Sequence, residues 1–219
     1  MSGFAVQWEG VSHAYGAADV VSGVTLAIGA GESVALLGHN GAGKTTLTRM
    51  LMGLVRPRAG RVTVGDWEVA AKRPDEMAQR VGYAFQHADQ QLFARSVRED
   101  VAFGPRQLGH GDAGVEEVLA ELELTSVAAR HPYDLPAPVR KLVTLAGVLA
   151  MRPGVLVFDE PTAGFDTGLR ALVVQAVQRR SAAGVTVLCV SHDRAFVAAV
   201  AQRSVTMAQG RVVEFSAFP

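Results

Sequence analysis

Nine consecutive residues constrain this chain more than any others: Gly38, His39, Asn40, Gly41, Ala42, Gly43, Lys44, Thr45 and Thr46. They spell Gly-x-x-x-x-Gly-Lys-Thr, with an apolar run at 34–37 before them and a helix-compatible segment at 45–54 after them. Strand, loop and helix in that order let a backbone wrap a phosphate chain with its N–H groups pointing inward. Glycines admit the backbone angles this needs, and a helix N-terminus favours the anion. Lys44 is placed to reach β- and γ-phosphates as a point charge, and the Thr45 hydroxyl to ligate magnesium. Gly38, Asn40, Gly41, Gly43, Lys44, Thr45 and Thr46 are therefore the expected nucleotide-binding residues. A glycine-rich turn with a chance lysine would not need the flanking strand and helix.

Around that loop the chain alternates strand and helix patterns. Two β-rich segments, 4–15 and 20–28, precede the strand at 32–37, and a hairpin is expected at 61–64 and 67–69 around Gly65-Asp66. A short strand at 80–85 ends at Gln86. The polar stretch 87–91 then leads into a mostly helical region. Within it Val115, Val118, Leu119 and Leu122 recur at i, i+3, i+4 and i+7, and a second helix is expected over 139–150. The apolar run 155–158 reads as a central parallel strand buried on both faces. A helical stripe of Leu169, Leu172, Val173, Ala176 and Val177 follows, stopped by Gly184. Another buried strand spans 185–190, capped by Ser191-His192-Asp193, and a closing hairpin pairs 204–207 with 211–215. The pattern predicts an α/β fold: a phosphate-loop core with a mostly parallel sheet, an N-terminal antiparallel β layer and an inserted helical subdomain. One domain is expected over 1–219, with the core and β layer at about 1–86 and 151–219 and the helices at about 87–150.

Composition narrows the partners. The 21 basic and 21 acidic residues cancel, which argues against a nucleic-acid footprint, so no nucleic-acid partner is expected. The one cysteine, Cys189, lies in an apolar run and reads as a small core residue; a disulfide framework is excluded. No apolar run approaches the ~20 residues needed to cross a bilayer. Work at a membrane would need something else to hold the protein there.

Asp159 ends the buried strand at 155–158, the position where an open α/β sheet places ligand-binding groups. A carboxylate there can hold magnesium beside the phosphate loop, and Glu160, next in line, can polarise an attacking water. The alternative is that both carboxylates cap the following helix, and Pro161 fits that reading too.

With these residues in place the chain resembles the nucleotide-binding subunit of an ATP-binding cassette transporter over nearly its whole length. Gly38 to Thr46 matches the Walker A loop, and the strand ending in Asp159-Glu160 matches Walker B with its catalytic glutamate. The resemblance implies ATP and Mg2+ as ligands, the metal being held by Thr45, Gln86 and Asp159. It also gives Gln86 the role of a Q-loop glutamine that senses magnesium and water and faces the membrane partner. Ala163-Gly164-Phe165-Asp166 takes the place of the D-loop, His192 that of the switch histidine at the γ-phosphate, and Tyr15 that of the aromatic stacked on adenine. The stretch Gln90-Gln91-Leu92-Phe93-Ala94, with Asp100 to Pro105, is similar to the ATPases of energy-coupling-factor and cobalt or nickel importers. That subfamily implies a peripheral position on the cytoplasmic face of the membrane. It further implies a transmembrane coupling protein, a membrane substrate-binding protein, and a vitamin or transition-metal ion as cargo.

The chain departs from the family at its Leu-Ser-Gly-Gly-Gln signature, where it has Leu135-Pro136-Ala137-Pro138-Val139. In the family that loop binds the γ-phosphate held by the opposite subunit. Pro136 has neither hydroxyl nor N–H, Pro138 removes a second N–H, and Ala137 and Val139 add bulk. Donors to a charged group are worth roughly 1.5–3 kcal/mol each, so three lost donors are a serious deficit. A helix can still start there, because proline is tolerated in a first turn. The expected assembly is a heterodimer with a second ATPase that carries an intact signature; a nucleotide-binding regulatory subunit with negligible hydrolysis is the alternative. Many members of the subfamily dimerise through a C-terminal extension, and with the chain ending at Pro219 that route is not expected here.

Overall fold

The structure is a computed structural model that describes residues 3–86 and 91–217. Its strands are β1 (Val6–Tyr15), β2 (Ala18–Ile28), β3 (Ser33–Leu37), β4 (Ala59–Val64), β5 (Trp67–Glu68), β6 (Val81–Ala84), β7 (Val155–Asp159), β8 (Thr186–Val190), β9 (Arg203–Ala208) and β10 (Arg211–Ala217). The main sheet runs β10-β9-β3-β8-β7-β6. Every pairing from β9 to β6 is parallel, and β10 closes the sheet as an antiparallel hairpin on β9. β6, β7 and β8 are buried at every residue, as a parallel strand covered on both faces must be. That is why they read as continuous apolar runs rather than alternating ones.

The sheet divides the interior in two. Ala35, Leu156, Phe158, Val187 and Cys189 face a helical layer, while Val34, Leu36, Val155, Val157, Leu188 and Val190 face a second, antiparallel sheet ordered β2-β1-β4-β5. Trp8 of β1 is fully buried against that face, and its indole N–H donates to the carbonyl of Leu47 at 3.1 Å. Cys189 is wholly buried, which pushes its thiol up to about 12, so it behaves as the inert core residue expected.

The helices are α1 (Lys44–Arg49), α2 (Pro74–Met77), α3 (Val97–Gln107), α4 (Val115–Glu121), α5 (Ala137–Ala150), α6 (Thr167–Ala182) and α7 (Arg194–Val200). α3, α4 and α5 share one apolar cluster, to which the predicted Val115, Val118, Leu119 and Leu122 all contribute. Arg179 and Arg180 of α6 both donate to the carboxylate of Glu121 on α4, joining helical layer to sheet-packed helix. Glu121 itself is 6% exposed there.

The structure differs from expectation in a few elements. The segment after the phosphate loop is α1 followed by a 3-10 turn at Met50–Met52, stopped by Gly53 at φ 68°. β5 is two residues long and passes into another 3-10 turn. α7 was not anticipated, because its seven residues are too few for a periodic pattern. Its signal is Asp193, whose side chain accepts from the N–H groups of Ala195 and Phe196 at 3.1 Å each.

Candidate active site

The C-terminal edge of the parallel sheet brings the loop and the carboxylates together. Asp159 pairs in register with Val190, and Val190 with Leu36, so β7, β8 and β3 end side by side. A cleft of about 440 Å3 opens at that edge. It is lined by Asn40, Gly41, Gly43, Lys44, Thr45, Thr46, Gln86, Asp159, Glu160 and His192, together with Val20, Ala42, Ala163 and Val190. Residues separated by more than a hundred positions in sequence meet there because βαβ connections return each strand to one edge.

Two glycines of the loop are fixed by their surroundings. Gly38 has φ 138°, and a Cβ there would lie 2.2 Å from the carbonyl oxygen of Met207. Gly43 has φ 98°, and a Cβ there would meet the Val20 carbonyl at 2.4 Å. Lys44 is 7% exposed and donates from Nζ to the carbonyls of Gly38 at 2.6 Å and His39 at 2.9 Å. Burial pushes its pKa down, and the charges of Glu160 and Asp159 draw it back up.

Thr45 Oγ1 donates to Asp159 Oδ2 at 2.9 Å. Behind that pair the buried Tyr83 hydroxyl lies 2.9 Å from Thr48 Oγ1 and 3.4 Å from the same Asp159 oxygen. Burial raises the Tyr83 pKa, so the phenol stays protonated. Glu160 follows β7 at φ 51°, its N–H donating to the Val190 carbonyl at 2.8 Å. Its Oε2 accepts from Ser191 Oγ and the His192 N–H, both at 3.3 Å, and its Oε1 lies 3.6 Å from His192 Nε2.

Gln86 reaches the cleft from the end of β6. Next to it Gln91 accepts from the Phe85 N–H at 3.0 Å and donates to the Tyr83 carbonyl at 3.2 Å, pairing with the free edge of β6 as a further strand would. Gln90 of the subfamily stretch, and 87–89 of the polar stretch, lie outside the described residues.

Tyr15 does not join the lining residues. It ends β1 with its side chain 52% exposed, set edge-on to His13 with ring centroids 4.7 Å apart. In the D-loop stretch Phe165 is buried, and Asp166 caps α6 by accepting from Leu169 N–H at 2.9 Å. The first turn of α5 holds Pro136 at its N-cap and Pro138 just inside. Three residues around the site carry no functional expectation from the sequence: Tyr83, Ser191, which reads only as part of a strand cap, and Lys141, which donates to the Glu160 carbonyl. Only Ser191 had a visible signal, lying between the strand end and His192.

The parallel sheet, the glycine loop and the strand-end carboxylates together define a P-loop nucleoside-triphosphatase domain. The model of the family described as ABC transporter matches residues 21–163. The chain belongs to that family, as an ATP-hydrolysing ATPase. It is 40% identical over 212 residues to the cobalt import ATP-binding protein CbiO of Rhodobacter capsulatus, covering 94% of this chain and 76% of that one. Identity is also 40%, with the same coverage of each, to the energy-coupling factor transporter ATP-binding protein EcfA2 of Symbiobacterium thermophilum. Other relatives are longer, and the chain spans 31% and 26% of two of them. Among solved structures, that of cbiO1 from Clostridium perfringens, part of the ABC transporter complex cbiONQ, superposes with a TM-score of 0.84 at 28% identity. It covers 97% of this chain and 88% of that one.

Proposed function

We propose that this ATPase binds MgATP in the cleft and drives uptake of a vitamin or transition-metal ion through membrane partners, as one half of a heterodimer. The observation that carries the reading is the convergence of Lys44, the Thr45–Asp159 pair and the Glu160–His192 pair on one cleft. The loop amides and Lys44 hold the phosphates. Thr45 hydroxyl, Asp159 carboxylate and Gln86 amide are hard oxygen donors, a set that fits magnesium. Bound there, magnesium would neutralise charge on the β- and γ-phosphates. Glu160 orients and polarises the attacking water, Ser191 and the His192 amide fix its carboxylate, and His192 reaches the γ-phosphate. Adenine would stack outside the phosphate cleft, on the exposed ring of Tyr15.

The membrane side follows from an apolar patch. Phe93 and Phe103 are 63% and 45% exposed, their ring centroids 4.7 Å apart, over a groove of about 270 Å3 beside the Gln86 strand. A helix of a transmembrane coupling protein is the occupant we assign to it, in keeping with the assembly named for the Clostridium relative. On this reading the chain sits peripherally, on the cytoplasmic face. Among the described residues no helix is long and apolar enough to cross a membrane.

The heterodimer rests on Pro136 and Pro138 at the start of α5, which leave that turn two N–H groups short. The same observation favours the alternative of a regulatory subunit with negligible hydrolysis. Phosphate release by the purified chain, alone and with the ATPase that co-purifies from the native membrane, decides among these. Turnover only in the pair, and lost on Glu160→Gln, is expected. Brisk turnover alone, abolished by Glu160→Gln, would sink the heterodimer; no effect of Glu160→Gln in the pair would favour the regulatory role.

A further inference from the structure

Lys141 is a buried ammonium that the roles above do not use. It lies in the first turns of α5, three residues beyond Pro138, and is 8% exposed. Its Nζ donates to the carbonyl of Glu160 and, at 3.4 Å, to that of Ala163, with the Phe165 ring centroid 5.8 Å away. Burial pushes its pKa down, and the Glu160 and Asp159 charges draw it up. Taking an ammonium out of water is costly unless its donors are satisfied, and a methionine of similar length would fill the space without that cost.

The place where Lys141 spends its donors is informative. Glu160 sits at φ 51°, a region a non-glycine residue keeps only when its surroundings hold it. Both carbonyls belong to the turn that carries the Glu160 side chain towards Ser191 and His192 on one side and opens the D-loop stretch on the other.

We propose that Lys141 is a positioning residue: its ammonium pins the turn from Glu160 to Ala163 and so sets the direction of the Glu160 carboxylate. The inference rests on the role given to Glu160 above. It also supplies a mechanical link within one chain. Lys141 stands on the same helix start as Pro136 and Pro138, so a shift of that helix start moves the anchor of the glutamate.

The test compares the full-length wild type with Lys141→Met, Lys141→Gln and Glu160→Gln. Hydrogen–deuterium exchange reads the turn through the N–H groups of Ala163 and Phe165, which bond to the carbonyls of Glu160 at 3.4 Å and Thr162 at 3.0 Å. Lys141→Met should raise exchange at those two amides at least tenfold while β7 and β8 stay protected. In the complex with the co-purifying ATPase, kcat should fall at least tenfold with affinity for a fluorescent ATP analogue within twofold of wild type. Lys141→Gln, which keeps a donor, should recover part of both effects. Unchanged exchange at 163 and 165 overturns the proposal. So does a parallel loss of kcat and ATP affinity with exchange raised across the whole sheet. Should Glu160→Gln leave turnover intact, the role of Glu160 fails, and the exchange measurement still decides whether Lys141 anchors the turn.

Discussion

At the scale of single residues, Lys44 separates binding from folding. Its Nζ partners are two carbonyls of its own loop, so removing the ammonium leaves no distant group unpaired. Lys44→Ala should therefore keep the thermal midpoint within a few degrees while weakening ATP binding about a hundredfold, the loss of one to two charge-assisted contacts. Isothermal titration with ATP checks the second part and calorimetric melting the first. Glu160→Gln should do the opposite: ATP affinity is kept and turnover falls roughly 10²–10⁴-fold, the range for a removed general base.

At the scale of elements, the joints between layers carry the stability. Trp8 is fully buried and bonded to Leu47, so it fixes the antiparallel sheet to α1, the helix of the phosphate loop. Trp8→Ala should cost about 3–5 kcal/mol, measurable as a shifted urea midpoint. Glu32, at the mouth of β3, accepts from the Arg203 guanidinium at the start of β9 and from the Gly29 N–H at 2.8 Å. The Arg203 hydrogen bonds hold its carboxyl below the ordinary value of 4.5, against the opposing effect of burial. A depressed folded-state pKa stabilises the fold above the unfolded value, and the gain is lost as pH falls through the folded one. The difference between wild type and Glu32→Gln should thus be about 1 kcal/mol at neutral pH and shrink progressively below pH 4.5, as urea melts at each pH would read. The elements themselves were legible where their physics is local. Buried parallel strands are continuous apolar runs, and the amphipathic period of Val115 to Leu122 is strong. α7 was missed because its cap, not its period, defines it. Tyr83 and Lys141 were missed because nothing in a short buried strand or a helix start announces which carbonyl or carboxylate will lie opposite after folding.

At the scale of the whole molecule, the phosphate loop is complete, while the start of α5 carries Pro136 and Pro138 where the proposed heterodimer would need donors. Restoring the family pattern with Pro136→Ser, Ala137→Gly, Pro138→Gly and Val139→Gln together should raise turnover of the purified chain at least tenfold. α5 would be kept, since most of its apolar face is buried independently of those positions. Unchanged turnover with intact helicity would count against the signature as the missing part. Phe93→Asp and Phe103→Asp should leave ATP affinity unchanged and abolish recovery of the chain with the membrane fraction, which a pull-down from native membranes measures. The Walker motifs and fold class could be read from the chain because they depend on residue order. The cleft's second layer and the exposed Phe pair depend on which surfaces remain uncovered, and that only the folded chain displays.

The clasp of Arg179 and Arg180 on Glu121 has a consequence for how the protein responds to its solution. Mobile ions screen charges over about 10 Å at 0.1 M salt, but they act only where they can approach. Arg61–Glu9 and Arg106–Asp112, with side chains about half exposed, are open to them. Glu121, at 6% exposure, is not. Arg180 is 17% exposed and Arg179 63% exposed, so ionic strength should loosen the rim of the molecule and the Arg179 arm of the clasp while the Arg180–Glu121 arm keeps most of its hold.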